Sequence, residues 1–75
     1  MDGKGARILS LRIAIGAAPG QRVEVVSVDG DADVAAGDRG TLVSIEEASV
    51  RVAFDRDGEL VVDPLVVRLR RALVA

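Results

Sequence analysis

Residues 37–62 of this chain, GDRGTLVSIEEASVRVAFDRDGELVV, limit its fold more than any other segment. Val50, Val52 and Phe54 alternate with polar or small residues, which is the period-two pattern of a strand that buries one face. Apolar residues recur on both sides of this strand, and short polar segments separate the groups. The pattern predicts three short strands joined by two tight turns.

The second turn of this meander admits two registers. A two-residue Asp-Gly turn would scatter the apolar residues over both faces of the hairpin. A three-residue loop over residues 56–58 instead pairs Phe54 with Leu60. The same register pairs Val52 with Val62 and keeps the large apolar residues on one face. We therefore predict the three-residue loop.

The first turn is predicted to be a four-residue loop over residues 46–49, with its two adjacent glutamates in water. This loop places Ile45 opposite Val50. It also places Val43 opposite Val52. Both pairs lie on the face that Phe54 buries, so the three strands share one apolar face.

Two glycines, Gly37 and Gly40, flank the start of the first meander strand. Glycine at such positions indicates either a positive φ or a close approach of two backbones. We expect one of these two constraints at the entry to the strand.

The chain is short, and its composition limits how it can be stabilised. It has 75 residues, no cysteine and a single aromatic residue, Phe54. Such a chain forms one domain whose stability comes from a tight apolar core or from oligomerisation. No apolar run reaches the roughly 18 residues that span a bilayer, and Arg12 interrupts the N-terminal run. We expect a cytoplasmic protein without a signal peptide.

The N-terminal segment, residues 7–15, fits two structures. Its apolar residues alternate with polar or small ones, which favours a strand, although a helix stays open. An apolar strand has to be covered, either within the same sheet or by a second copy of the chain. The residues expected to mediate this self-association are Leu9, Leu11, Ile13 and Ile15.

The next segments predict a turn, a strand and a loop. Pro19-Gly20 is a strong turn signal. Residues 22–28, RVEVVSV, form a strand whose apolar parity changes between Val25 and Val26, so both faces are covered or a bulge lies there. Residues 29–38 form an acidic loop that Val34 orders by turning inward.

Asp63-Pro64 ends the third meander strand, since proline cannot donate to a ladder. We predict a 3₁₀ turn over residues 64–67 and a closing strand over residues 68–74. One helix over residues 64–74 is the alternative. The predicted core is made of the inward-facing apolar residues of all these strands: Val23, Val25, Leu42, Val43, Ile45, Val50, Val52, Phe54, Leu60, Val62 and Leu69.

The order of these motifs resembles a known type of domain. Pro19-Gly20-x-Arg22-Val23, an acidic loop, Gly37-Asp38-x-Gly40-Thr41 and Asp57-Gly58 follow one another as in SH3-like small barrels of the KOW type. The motifs are also similar to those of an uncharacterised family of short phage and bacterial domains. The similarity spans residues 18–72, and this chain has Phe54 where that family typically has tryptophan.

The resemblance implies an all-β, SH3-like barrel of about five strands, with residues 18–75 as the barrel. Residues 1–17 would form an N-terminal extension. It carries over no activity, because that family has no assigned chemistry.

The residue types argue against an enzyme. Histidine, cysteine, tyrosine and tryptophan are all absent, so the commonest general base, thiolate nucleophiles and soft-metal ligands are missing. We expect no catalytic residue, no cofactor and no dedicated metal site. The alternating Asp29, Asp31 and Asp33 leave cation binding by the acidic loop open, although the loop lacks the glycine and glutamate positions of an EF-hand.

Charge is distributed unevenly, with basic ends and ten acidic residues within positions 29–63. The arginines expected to contact phosphates or a partner are Arg12, Arg68, Arg70 and Arg71. The function expected is a non-catalytic protein-interaction or scaffold module, such as a phage or bacterial accessory protein that self-associates. The alternative is a KOW-type nucleic-acid-binding module that uses the basic ends.

Overall fold

A computed structural model of the protein describes residues 12–72. They form one antiparallel sheet with the strand order β4-β3-β2-β1-β5. The strands are β1 (Arg22–Val28), β2 (Arg39–Ile45), β3 (Val50–Phe54), β4 (Gly58–Val62) and β5 (Val67–Arg71). The all-β prediction is confirmed, and β4 and β5 are the two ends of the sheet order.

The alternation in β3 determines which face of the sheet is buried. Val50, Val52 and Phe54 are all buried, while the two residues between them are half-buried. Their neighbours on β2 and β1 complete the core with Leu42, Val23 and Val25. Val34 of the acidic loop is also buried, as predicted.

The first meander turn is confirmed. Ile45 lies opposite Val50, and the N–H of Glu46 donates to the carbonyl of Ser49 at 2.8 Å. Val43 is not in the core, because the register shifts between Leu42 and Ser44. This β-bulge leaves Val43 exposed on the outer face.

The predicted register of the second turn is wrong by two residues. Phe54 lies opposite Gly58, and Val52 lies opposite Leu60. The loop is therefore residues 55–57, and Gly58 follows it with a φ of 81°. A shift of two residues leaves every side chain on its predicted face, so Leu60 and Val62 still pack on the core.

The strand β1 has the predicted bounds, and of the two predicted alternatives, two covered faces or a bulge, the structure has the bulge. Its register with β5 shifts between Val25 and Ser27, and Val26 is exposed. The bulge adds one residue to β1, and this extra residue accounts for the change of apolar parity in the sequence.

The predicted N-terminal strand is wrong for its described part. Residues 12–15 are helical, and the N–H of Gly16 donates to the carbonyl of Arg12 at 2.8 Å. A strand would put Ile13 and Ile15 on the same face, whereas a helical turn separates them. Ile15 is 5% exposed and belongs to the core, while Ile13 is 73% exposed. Residues 7–11 of the prediction lie outside the described residues.

The turn before β5 is confirmed as a single turn. The N–H groups of Val66 and Val67 both donate to the carbonyl of Asp63, at 2.9 Å and 2.8 Å. The alternative helix does not form in the described part of residues 64–74, because β5 pairs with β1 from Val67 onward. The closing strand therefore starts one residue earlier than predicted, and positions 73–74 lie outside the described residues. Core residues that were not predicted are Ile15, Ala17, Val67 and Ala72.

Gly37 shows the first of the two expected constraints, a positive φ, and Gly40 shows the second, a close approach of two backbones. Gly37 has a φ of 97°. A Cβ atom at Gly40 would lie 2.5 Å from the carbonyl oxygen of Ala53 and 2.8 Å from the Cα of Phe54. Both contacts are with backbone atoms of β3, so no side-chain rearrangement can relieve them.

Replacing Phe54 with alanine should lower the free energy of unfolding by roughly 3–5 kcal/mol, because it leaves a cavity beneath β2 and β3. Urea or thermal unfolding of the purified variant measures this loss. Val61→Ala is the control. Because Val61 faces outward, this substitution should change the free energy of unfolding by less than about 0.5 kcal/mol. Equal melting of Phe54→Ala and wild type would show that the ring is not central to the core.

Replacing Gly40 with alanine should destabilise the fold by roughly 1–3 kcal/mol, because the added methyl group meets the backbone of β3. The matched control is Ser44→Thr, which adds one methyl group on the outer face of the same strand. Chemical unfolding of both variants separates the effect of the contact with the β3 backbone from the effect of adding a methyl group to β2. A Gly40→Ala variant as stable as the control would contradict the close approach of β2 and β3.

Candidate functional site

The outer face of the sheet is a network of ion pairs. Arg22 donates to both carboxylate oxygens of Asp55, one of them at 2.8 Å, and to the hydroxyl of Thr41 at 3.3 Å. Arg51 contacts Glu46 at 3.4 Å and Glu59 at 3.3 Å. These pairs join β3 to β4 and also join strand residues to the loops before and after β3, so much of this face is already neutralised within the chain.

Glu24 pairs with one of the predicted contact arginines, Arg70, which therefore belongs to this network of ion pairs. Its carboxylate accepts a hydrogen bond from Arg70 at 2.7 Å and lies 3.6 Å from Arg39. The register explains this, because Glu24 stands opposite Arg70 on one side and Arg39 on the other. Arg70 is therefore held by the protein itself.

The predicted contact arginines of β5 do not all share one face: Arg68 and Arg70 lie two residues apart and start from the same face. Arg71 follows Arg70 directly on β5, so these two side chains start from opposite faces of the strand. Within residues 12–72, Arg12, Arg68 and Arg71 form no ion pair. Of the four predicted contact arginines, these three are therefore left for an external partner.

A small groove lies where the helical turn at residues 12–15 meets the turn before β5. It has a volume of about 230 Å³ and is called here the turn groove. Its lining is almost entirely apolar, with one arginine: Ala14, Ile15, Pro64, Leu65, Arg68 and Leu69. The structure thus brings together one predicted contact arginine, Arg68, and one predicted self-association residue, Ile15.

Local hydrogen bonds hold Leu65 at the rim of the turn groove. The carboxylate of Asp63 accepts a hydrogen bond from the N–H of Leu65 at 2.8 Å, and its carbonyl closes the turn. Proline at position 64 suits the first residue of such a turn. Leu65 is consequently 85% exposed, the highest value among the large apolar residues that the structure describes.

A second, shallower groove lies on the other side of the helical turn. It has a volume of about 430 Å³ and includes Arg12, Ile13 and Gln21 in its lining. Gln21 accepts a hydrogen bond from the N–H of Ala18 at 2.8 Å, which fixes the turn that follows. The exposed Ile13 belongs to this groove, whereas Ile15 is buried in the core and contributes only its small exposed part to the lining of the turn groove. Leu9 and Leu11 lie outside the described residues.

A third cavity, about 240 Å³ in volume, lies between the two ends of the sheet. Leu60, Val61 and Val62 of β4 line it, and so does Val67 of β5. We call this cavity the seam. The acidic loop borders it with Asp31 and Asp33. Within residues 12–72, no group of three or more acidic side chains is arranged to hold a metal ion.

The sequence pattern does not identify Leu65 as a surface residue, because residues 64–67 are predicted only as a turn. The local signal for it is the combination Asp63-Pro64, since an aspartate that bonds the backbone two residues on places Leu65 in a turn, and turns lie on the surface. The proximity of Arg68 to Ile15 has no local signal, because these residues are far apart in sequence.

No family model matches the chain, and no curated protein or solved structure matches it at a significant level. Within the described residues, no helix is long and apolar enough to cross a membrane.

Removing the carboxylate of Asp55 should make stability less dependent on pH in the acid range. The hydrogen bond from Arg22 lowers the pKa of Asp55, and the positive charges of Arg22 and Arg39 add to this effect. A lowered pKa in the folded state contributes stability above the unfolded-state pKa, and this contribution is lost as pH falls through the folded-state pKa. The difference in urea midpoint between wild type and Asp55→Asn should therefore be largest near neutral pH and should shrink on acidification.

The control for this experiment is Asp57→Asn, which alters an exposed carboxylate of the same loop that has no ion pair within residues 12–72. A pH-independent difference between wild type and Asp55→Asn would contradict the role of the pair with Arg22.

Proposed function

We propose that this chain is a non-catalytic protein-interaction module and that the turn groove is its docking surface. The observation that carries the proposal is Leu65, which is 85% exposed at the rim of an apolar groove. Exposed large apolar residues next to a concave apolar surface are typical of protein contacts. Arg68 in the same lining has no ion pair within residues 12–72 and adds a charge that a partner can meet.

The fold we propose for this module is an SH3-like small barrel. Five short antiparallel strands, with a single proline turn before the last one, support it. The seam supports it as well, because the two end strands curl toward one shared cavity. The biological setting, a cytoplasmic accessory protein of a phage or a bacterium, rests on the motif resemblance.

The partner we propose presents one apolar side chain and one carboxylate. The groove volume of about 230 Å³ is below the roughly 300–1,000 Å³ of small-molecule sites, so it suits a single side chain. A carboxylate beside that side chain would pair with Arg68. Such an ion pair at the edge of an apolar contact favours one orientation of the partner in the groove. A second copy of the chain is one candidate partner, because Ile13 is exposed on the adjoining groove.

Nucleic-acid binding is the second proposal, and one observation favours it. Arg12 and Arg68 lie in neighbouring grooves whose linings contain no carboxylate. Against it stands the pairing of Arg70 with Glu24, which removes one of the expected phosphate contacts. A single aromatic residue, buried in the core, also leaves the described surface without a stacking platform for bases.

Photo-crosslinking tests the docking surface directly. A photoreactive phenylalanine analogue at position 65 should yield one dominant adduct in host cells, and the same analogue at position 56, in the exposed β3–β4 loop, should not. The adduct mass distinguishes a second copy from another protein. Arg68→Glu should weaken binding of the identified partner by about tenfold, since it replaces attraction with repulsion. Equal adducts from both positions would contradict the turn groove.

The variants Leu65→Ser and Arg12→Ala separate the two proposals. If nucleic acid is the ligand, labelled RNA or DNA binds the wild type with an affinity that falls steeply with salt. Arg12→Ala and Arg68→Ala should then each weaken binding, whereas Leu65→Ser should leave it unchanged. The reverse pattern supports the protein-interaction module.

A further inference from the structure

The seam differs from the turn groove in both shape and charge. Three consecutive residues of β4, Leu60, Val61 and Val62, line it. Side chains of consecutive strand residues alternate between faces, so a cavity that contacts all three must run along the backbone edge of the strand. The seam is therefore a cleft beside the open edge of β4.

This edge has unused hydrogen-bonding capacity. β4 pairs with β3 on one side, and within the described residues no strand pairs with it on the other. An open strand edge presents N–H and C=O groups that an extended peptide can pair with, and the adjoining pockets then select its side chains. β4 ends at Asp63-Pro64, so an added strand is limited to the short segment of residues 58–62.

The walls of the seam are apolar and its border is acidic. Val62 and Val67 are buried core residues, and Val66 packs against the same core. Asp31 and Asp33 of the acidic loop, which lie at the border, form no ion pair within residues 12–72. The third carboxylate of the lining, Asp63, accepts a hydrogen bond from the N–H of Leu65 in its own turn. A lysine or arginine side chain matches this surface, because its methylene stem packs on apolar walls while its charged end stays with the carboxylates.

The cavity size agrees with this occupant. At about 240 Å³ the seam is smaller than typical small-molecule sites, so it accommodates one long side chain rather than a ligand of drug size. The turn groove offers the opposite chemistry, with Arg68 as its one charged residue. The two surfaces therefore select different partners.

We propose that the β4 edge and the seam form a second docking site, which takes an extended cationic segment of a partner protein. The segment adds as a strand beside β4. It places one lysine or arginine side chain in the seam, with the charged end between Asp31 and Asp33. The site is separate from the turn groove and does not rest on the function proposed for that groove.

The probe is a capped pentapeptide with the sequence Thr-Val-Lys-Val-Thr, titrated into the full-length labelled protein and followed by two-dimensional NMR. Its control is the same peptide with norleucine in place of lysine, which keeps the apolar stem and removes the charge. Amide shifts should be concentrated at residues 31–33 and 60–62. The norleucine peptide should bind about five- to tenfold more weakly, as expected for one charge meeting two exposed carboxylates.

Variants of the border carboxylates complete the test. Asp31→Asn with Asp33→Asn should reduce the affinity for the lysine peptide to that of the norleucine peptide, while the control Asp57→Asn should leave it unchanged. Raising the salt concentration from about 0.05 M to about 0.5 M should also remove the preference for lysine. Equal binding of the two peptides would overturn the proposal, and so would shifts at the turn groove, residues 14–15, 64–65 and 68–69, instead of the seam.

A further variant separates this site from the turn groove. Leu65→Ser should bind the lysine peptide as the wild type does, because Leu65 lines the turn groove and not the seam. Loss of peptide binding in this variant would overturn the assignment to the seam. If Leu65→Ser loses the crosslinked partner and still binds the lysine peptide, the seam is confirmed as a site separate from the turn groove.

Discussion

The close approach of β2 and β3 at Gly40 is the constraint on which the rest of the fold depends. Ala53 and Phe54 come so near that a Cβ atom at position 40 would lie 2.5 Å from a backbone oxygen. Gly40 also stands opposite Val23 on β1, so one residue sets the spacing of three strands. Phe54 can be buried by a chain this small because the neighbouring backbone lies against it.

Two bulges shape the sheet around this centre. One lies at Val26 in β1 and the other at Val43 in β2, and each puts a valine on the outer face. Bulges increase local twist and bend a strand. They occur in the two strands nearest β5, and β4 and the start of β5 line one cavity. The seam and the turn groove both lie beside the connection between these end strands.

Charge pairing on the outer face determines which groups are left for partners. Cross-strand pairs engage Arg22, Arg51 and Arg70 within the chain. Arg68 at the turn groove and Asp31 and Asp33 at the seam have no such pairs within residues 12–72. Exposed pairs contribute little to stability, but they leave Arg68 at the turn groove and Asp31 and Asp33 at the seam available to partners.

The sequence alone determined the strands, their buried faces and the turn at Pro64, because period-two alternation and turn residues act locally. It also located the bulge in β1 from a change of parity. Tertiary structure decided the register of the second hairpin, the helical turn at residues 12–15 and the loss of Val43 from the core, since neighbouring strands select among alternatives of equal local preference. Only the tertiary structure places Arg68 beside Ile15 and pairs Glu24 with Arg70, because these residues are far apart in the sequence and no local pattern connects them.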